Sequence, residues 1–200
     1  MALDSPENRQ VLINIFPNLG LDGSFVIKSE KTTAYNCIAW AMGFDDRWVD
    51  HLPDNDIAKK KWWPDGVARD YNPETLVAAF EKLGFEKCDD DQEEIGYDKV
   101  ALYKVSPLVN PITFQVIANE GWSHAARVLS SDLYHSKIGS SFDIYHRSGD
   151  IFNGPIYGEV FQFMKRKIED RIITERIKSK PSVITVPENI LDIINTKLIQ

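Results

Sequence analysis

Thr33-Ala34-Tyr35-Asn36-Cys37-Ile38-Ala39-Trp40-Ala41-Met42-Gly43 is the stretch on which the reading of the fold turns. Thr33 is a candidate cap, Ile38, Ala41 and Met42 fall on one face at helical spacing, and Gly43 offers a stop. Cys37 therefore stands near the start of a short apolar helix. There, unsatisfied N–H groups and the positive end of the helix dipole bring a cysteine pKa down from about 8.5 to roughly 3.5–7.5 when a cation helps. A thiol so placed becomes a nucleophile; the competing reading is a small core residue, since free cysteine is among the most buried types.

A nucleophilic thiol needs a base, a group to orient that base, and N–H donors for the oxyanion. His124, in Gly121-Trp122-Ser123-His124-Ala125-Ala126-Arg127, opens a predicted strand and is the candidate base. Its alternative is a satisfied core histidine. The segment that should return beside this strand carries Ser136, Asp143 and His146 as candidate orienting groups. Asp143 is preferred, because a carboxylate fixes the tautomer and stabilises an imidazolium; its other reading is a cap for a turn at Ile144–His146. On the return strand Tyr134 and Ser136 share one face, His135 and Lys137 the other. Asn36 is a candidate oxyanion donor beside the Cys37 amide. Trp62, Trp63 and Trp122 are candidates for a substrate cleft, although an aromatic pair in a long loop is more often a packing anchor.

Between these positions the pattern predicts an apolar element at Val11–Phe16 ended by Pro17, a short strand at Ser24–Ile27, and an ordered aromatic loop from Phe44 to Tyr71. A helix follows from the Asn72-Pro73 start to Gly84, with Leu76, Val77, Phe80 and Leu83 as its buried stripe. Strands are expected at Lys99–Val105, Ile112–Ala118, around His124, at Leu133–Ile138 and at Glu159–Met164. Lys165–Ile173 reads as charged helix, Ser182–Val186 as β-prone, and Glu188–Leu198 as a terminal helix with an apolar stripe at Ile190, Ile193, Ile194 and Leu198.

The 200 residues, 43% of them hydrophobic, suffice for one substantial core. A net charge of −7 argues against nucleic acid or an anionic membrane as partner. No run approaches the roughly 18 apolar residues of a membrane span, and the first residues lack a signal peptide's basic start and apolar core. A cytoplasmic protein is expected, or one exported by a system that needs no signal peptide. Cys37 and Cys88 form no metal-type CxxC pair, and His135 and His146 have no zinc-ligand spacing, so neither metal nor cofactor is expected.

Six ordered blocks add a resemblance: Tyr35-Asn36-Cys37-Ile38-Ala39-Trp40-Ala41, Gly96–Tyr103, His124-Ala125-Ala126-Arg127, Ser136-Lys137-Ile138-Gly139, Asp143-Ile144-Tyr145-His146 and Gly154-Pro155-Ile156-Tyr157-Gly158. Together they resemble an uncharacterised family of bacterial proteins, similar to papain-like cysteine peptidases, with the pattern Y-N-C-I-A-x-A, G-x-x-K-V-A-L-Y, H-A-A-R, S-K-L-G, D-I-x-H and G-P-x-Y-G. The resemblance implies an α+β, papain-like fold, with N-terminal helices packed on an antiparallel sheet in a domain at 1–166; the residue pattern beyond it reads as a C-terminal helical extension at 167–200. It also implies a polar centre of Cys37, His124 and Asp143. Ser106–Glu120 is longer than the pattern's hairpin, and the chain from Lys167 onward lies outside it.

The functional expectation is a thiol hydrolase, whether peptidase, amidase or deamidase, acting on a protein or peptide substrate. Two rivals stand beside it. One is a non-catalytic interaction module that binds a protein partner through the C-terminal helix; the other is a secreted bacterial toxin or effector with the same thiol chemistry.

Overall fold

The computed structural model describes residues 2–52 and 61–179. Helix α1 (Pro6–Ile15) begins where the Ser5 side chain accepts the Asn8 N–H and proline takes the first turn. After α2 (Asn18–Asp22) and strand β1 (Val26–Ile27) comes α3 (Cys37–Met42), whose cap is Asn36 rather than Thr33. Gly43, at φ 100°, ends that helix in the left-handed region. Two short strands, β2 (Trp48–Val49) and β3 (Lys61–Trp62), pair in parallel across the aromatic loop. Helix α4 (Pro73–Glu81) is capped by Asn72.

The rest is mostly strand: β4 (Glu86–Cys88), β5 (Tyr97–Val105), β6 (Leu108–Val109), β7 (Val116–Ala118), β8 (Gly121–Ser130), β9 (Leu133–Lys137), β10 (Asp143–His146) and β11 (Glu159–Lys167). A 3-10 turn at Ile168–Arg171 then leads into helix α5 (Ile172–Ser179). Among the described residues seven strands form one antiparallel sheet in the order β1-β10-β9-β8-β5-β11-β4, and β6 pairs with β7 as a separate ribbon.

This corrects the expected fold. The chain is β-rich, with a few short helices on a wide antiparallel sheet, and is not a papain-like α+β assembly of helices packed on a sheet. The six residues of α3 are too few to hold a helix without tertiary support, whereas β5, β8 and β11 run to nine, ten and nine residues. Two further expectations change for the same reason. Lys165–Lys167 continues β11 because its partners on β5 are in register, Lys165 opposite Lys99 and Arg166 opposite Asp98. Residues 143–146 form a strand paired to β9, so Asp143 caps no helix. Of the expected hairpin strand at Ile112–Ala118 only Val116–Ala118 is strand. The expected elements at Ser182–Val186 and Glu188–Leu198 lie outside the described residues.

Period-two alternation divides the core between the two sheet faces. Val100, Leu102, Ala125 and Met164 pack with α3 and α4, while Ala101, Tyr103, Ala126 and Val128 pack with α1, α2 and Phe152. Which face a side chain takes decides what the candidate site can contain.

Candidate active site

Asn36 is held by the fold. Its Oδ1 accepts from the Ala39 and Val49 amides at 3.0 and 3.2 Å, and its Nδ2 donates to the Val49 carbonyl at 2.9 Å. The side chain caps α3 and ties it to β2, so its oxygen and one of its two amide protons are committed to the fold. Cys37, the first residue of α3, is 7% exposed. Burial pushes its thiol up to about 11, against the backbone amides of Ala125, Ile38 and Cys37 and the charge of Lys137, all of which favour the thiolate. The helix start is thus present as expected, and desolvation outweighs it. Both cysteines are free.

His124 is fully buried on the other face of β8, its ring stacked on Tyr157 at 4.0 Å and edge-on to Tyr103 and Phe152. Its Nε2 lies 3.2 Å from Ser136 Oγ, which lies 2.8 Å from His146 Nε2; His146 Nδ1 is 3.0 Å from the Ser148 carbonyl. The tautomers follow from that last contact. A carbonyl only accepts, so His146 carries its proton on Nδ1 and, when neutral, takes the Ser136 hydroxyl proton on Nε2. Ser136 then accepts from His124 Nε2–H, leaving the lone pair of His124 on Nδ1. That nitrogen is buried and has no hydrogen-bond partner among the described residues. Burial, with His146 nearby, holds His124 well below the usual histidine range, so the imidazole is neutral.

No hydrogen bond joins Cys37 to His124. The two approach the same peptide instead: the Ala125 amide that favours the Cys37 thiolate belongs to the residue following His124. The β8–β9 ladder covers only Arg127–Ser130 on β8, so the strands are not paired at this level. Tyr157, stacked on His124, also feels the charge of Cys37.

Asp143 does not orient the imidazole. Opposite Lys137 in the β9–β10 register, it faces α3, whereas Ser136 and His146 face His124. Its Oδ2 accepts from Ser29 Oγ and Tyr35 Oη, each at 2.7 Å, and its Oδ1 is buried without a partner. Lys137 is fully buried beside this carboxylate and donates to the Ser141 carbonyl. Of the three orienting candidates, the structure brings Ser136 and His146 to His124. The division of Tyr134 and Ser136 from His135 and Lys137 follows the strand alternation.

The tryptophans are packing groups. Trp63 and Trp122 are buried and stacked at 5.9 Å, and their indole N–H groups donate to the Ala68 and Asp70 carbonyls at 2.9 Å each. Trp62 packs against Phe44. Sequence reasoning gave no role to Tyr157, Lys137, Tyr35 or Ser29, although the first three lie inside quoted blocks. Among the described residues no three His, Cys, Asp or Glu side chains are placed to hold a metal ion, and no helix is long and apolar enough to cross a membrane.

A family model described as a domain of unknown function, DUF7689, matches residues 26–165. The chain belongs to the DUF7689 family. No curated protein and no solved structure matches it. The matched DUF7689 segment opens at β1 and closes within β11, so it includes Cys37, both faces of β8–β10 and Tyr157, and leaves out α1, α2 and α5.

Proposed function

We propose that this DUF7689 protein is a thiol hydrolase acting on an amide carbonyl of a peptide or protein, with Cys37 as nucleophile and His124 as base. What carries the reading is the His124 imidazole: neutral, its Nε2–H held by the Ser136–His146 chain, and its Nδ1 lone pair buried without a partner beside the peptide that Cys37 also approaches. A buried acceptor without a donor costs roughly 1–3 kcal/mol, and a thiol proton would satisfy it. In the reaction the Cys37 proton passes to Nδ1 as sulfur attacks the carbonyl. The imidazolium then returns the proton to the departing amine, leaving a thioester that water hydrolyses. Resting contacts of this kind often tighten only with substrate. Peptidase, amidase and deamidase share these steps.

An electrophilic acyl probe tests it. Labelling is expected at Cys37 in the wild type, absent in Cys37→Ala, and reduced at least about 100-fold in His124→Gln. Equal labelling of wild type and His124→Gln would remove the base from the reading.

A non-catalytic interaction module is the second reading, favoured by the sealed thiol and by the exposed apolar side chains Leu108, Ile112, Phe114 and Ile117 on and between β6 and β7. Unchanged activity in Cys37→Ser, with partner binding lost in Phe114→Ser, would select it. The expected partner helix at 188–198 lies outside the described residues.

A further inference from the structure

At the other end of α3 from Cys37, a cleft of about 380 Å³ opens between the sheet and α5, lined among others by Asp98, Arg127, Arg166, Arg171, Thr174 and Lys178. Its charges are uneven. Arg171 binds Asp98 with both arms of its guanidinium, and Arg166 Nη2 is 3.6 Å from the same carboxylate. Arg127 pairs with no carboxylate among the described residues; its Nε donates to the Trp40 carbonyl at 2.8 Å and its guanidinium lies 3.7 Å over the Trp40 ring. Lys178 is engaged by Asp45. Of the other acids that act on the arginines, Glu175 lines the cleft from an exposed position, Asp170 is exposed to solvent, and Asp143 is buried and held by Ser29 and Tyr35.

Helix capping accounts for only part of this. Arg127 Nε serves the last turn of α3, and Arg166 Nη1 serves Thr174 at 2.7 Å and the Leu83 carbonyl beyond α4 at 3.5 Å. Arg166 is 3% exposed, yet its Nε is buried with no acceptor. The outer nitrogens of Arg127 border the same cleft, and no ion pair to them is formed among the described residues. Arg166 and Arg171 share the Asp98 carboxylate with Arg127 close by; burial first, then repulsion from Arg171 and Arg166, brings Arg127 down to about 10 against the pull of Asp98 and Asp143. In a chain of net charge −7 this is a local excess of the opposite sign.

We propose that this cleft binds a small phosphate dianion, free or as a monoester, with Arg127, Arg166 and Arg171 as its donors. Planar guanidiniums with unused N–H groups suit a tetrahedral oxyanion with several acceptors, and a dianion relieves their repulsion. The site uses none of the residues of the Cys37–His124 centre, so either assignment stands without the other.

Titration calorimetry on the full chain, at fixed ionic strength balanced with chloride, tests it with inorganic phosphate and with phenyl phosphate. Saturable one-to-one binding of at least one probe is expected, weakened at least tenfold in Arg127→Gln and in Arg171→Gln. Tighter binding of phenyl phosphate assigns the monoester, and equal or tighter binding of inorganic phosphate assigns the free ion. Arg171 is half exposed, so its variant is expected to fold even if Arg127→Gln does not; Arg127→Lys, which keeps the charge and loses the fork, then replaces the latter. No saturable binding of either probe, or the same affinity in a folded Arg171 variant, overturns the proposal.

Discussion

Ser136→Ala removes one hydroxyl from a fully buried position and thereby takes away one hydrogen bond from each of two imidazoles. His124 Nε2–H loses its acceptor and His146 Nε2 loses its donor. Each buried group left unsatisfied costs about 1–3 kcal/mol, which bounds the loss near 6 kcal/mol. The Ser148 carbonyl still holds His146 Nδ1, and the rings stay packed against Tyr157 and Tyr134. Those contacts limit collapse, and a loss of about 2–4 kcal/mol is expected against a total of roughly 5–15. Urea unfolding at pH 7.5 measures it. The tautomer is read separately, by nitrogen-15 shifts of the histidine rings: His124 protonated on Nε2 in the wild type, with mixed tautomers in the variant. If labelling at Cys37 also falls by about 100-fold or more, the hydroxyl holds the base as well as the fold. A stability change under about 0.5 kcal/mol with unaltered ring shifts would refute the hydrogen-bond chain and the protonation states derived from it.

Burial holds His124, His135 and His51 below the usual histidine range, His135 at about 4. The unfolded chain therefore takes up protons first, and stability, complete above about pH 6.5, is lost on acidification by up to about 1.4 kcal/mol per pH unit per histidine, the His135 share ending near its native value; a urea midpoint flat from pH 7.5 to 5.5 would contradict this. With the Cys37 thiol at about 11, iodoacetamide reactivity should climb without a plateau through pH 9, and a plateau reached below pH 8 would show an activated thiolate instead. Gly158 sits at φ 72°, where an added Cβ would overlap the Lys104 carbonyl, so Gly158→Ala should cost more than about 2 kcal/mol in thermal or urea unfolding; a change within about 0.5 kcal/mol would mean that the turn yields.

Local signals were legible where they were strong. Asn72-Pro73 and the apolar stripe after it gave α4, and the β-rich runs gave β5, β8 and β9 near their observed ends. The architecture was not legible, because the short run at Cys37–Met42 says nothing about the seven strands beneath it. In Lys165–Lys167 three successive basic residues suit a surface helix and a strand equally; pairing with β5 decides for the strand. The orienting group was misjudged for a related reason. Chemistry favoured the carboxylate of Asp143, but in a strand the face is set by odd or even position, and Asp143 is out of phase with His146 and opposite Lys137. The same parity, applied to β8, separates the His124 side chain from that of Ala125, which packs against the Cys37 helix. Only the pairing register reveals where β8 and β9 part.

That geometry constrains how thiol chemistry could run here. With burial pushing the thiol up to about 11 and holding the imidazole well below its ordinary range, moving the proton from sulfur to nitrogen in the resting site is uphill. A preformed ion pair, as at a solvated helix start, is therefore not the resting state, and the reactive form cannot precede substrate. Proton transfer has to accompany attack, as it does for a neutral hydroxyl nucleophile beside a histidine base. The amides of Ala125, Ile38 and Cys37 and the ammonium of Lys137 then act on the charge that develops as sulfur attacks, so their stabilisation falls on the transition state rather than on a resting thiolate. On this account Lys137→Met should slow acyl-probe labelling of Cys37 while leaving its slow alkylation at neutral pH nearly unchanged. An equal loss in both reactions would place the lysine's effect in the ground state and remove the need for concerted transfer.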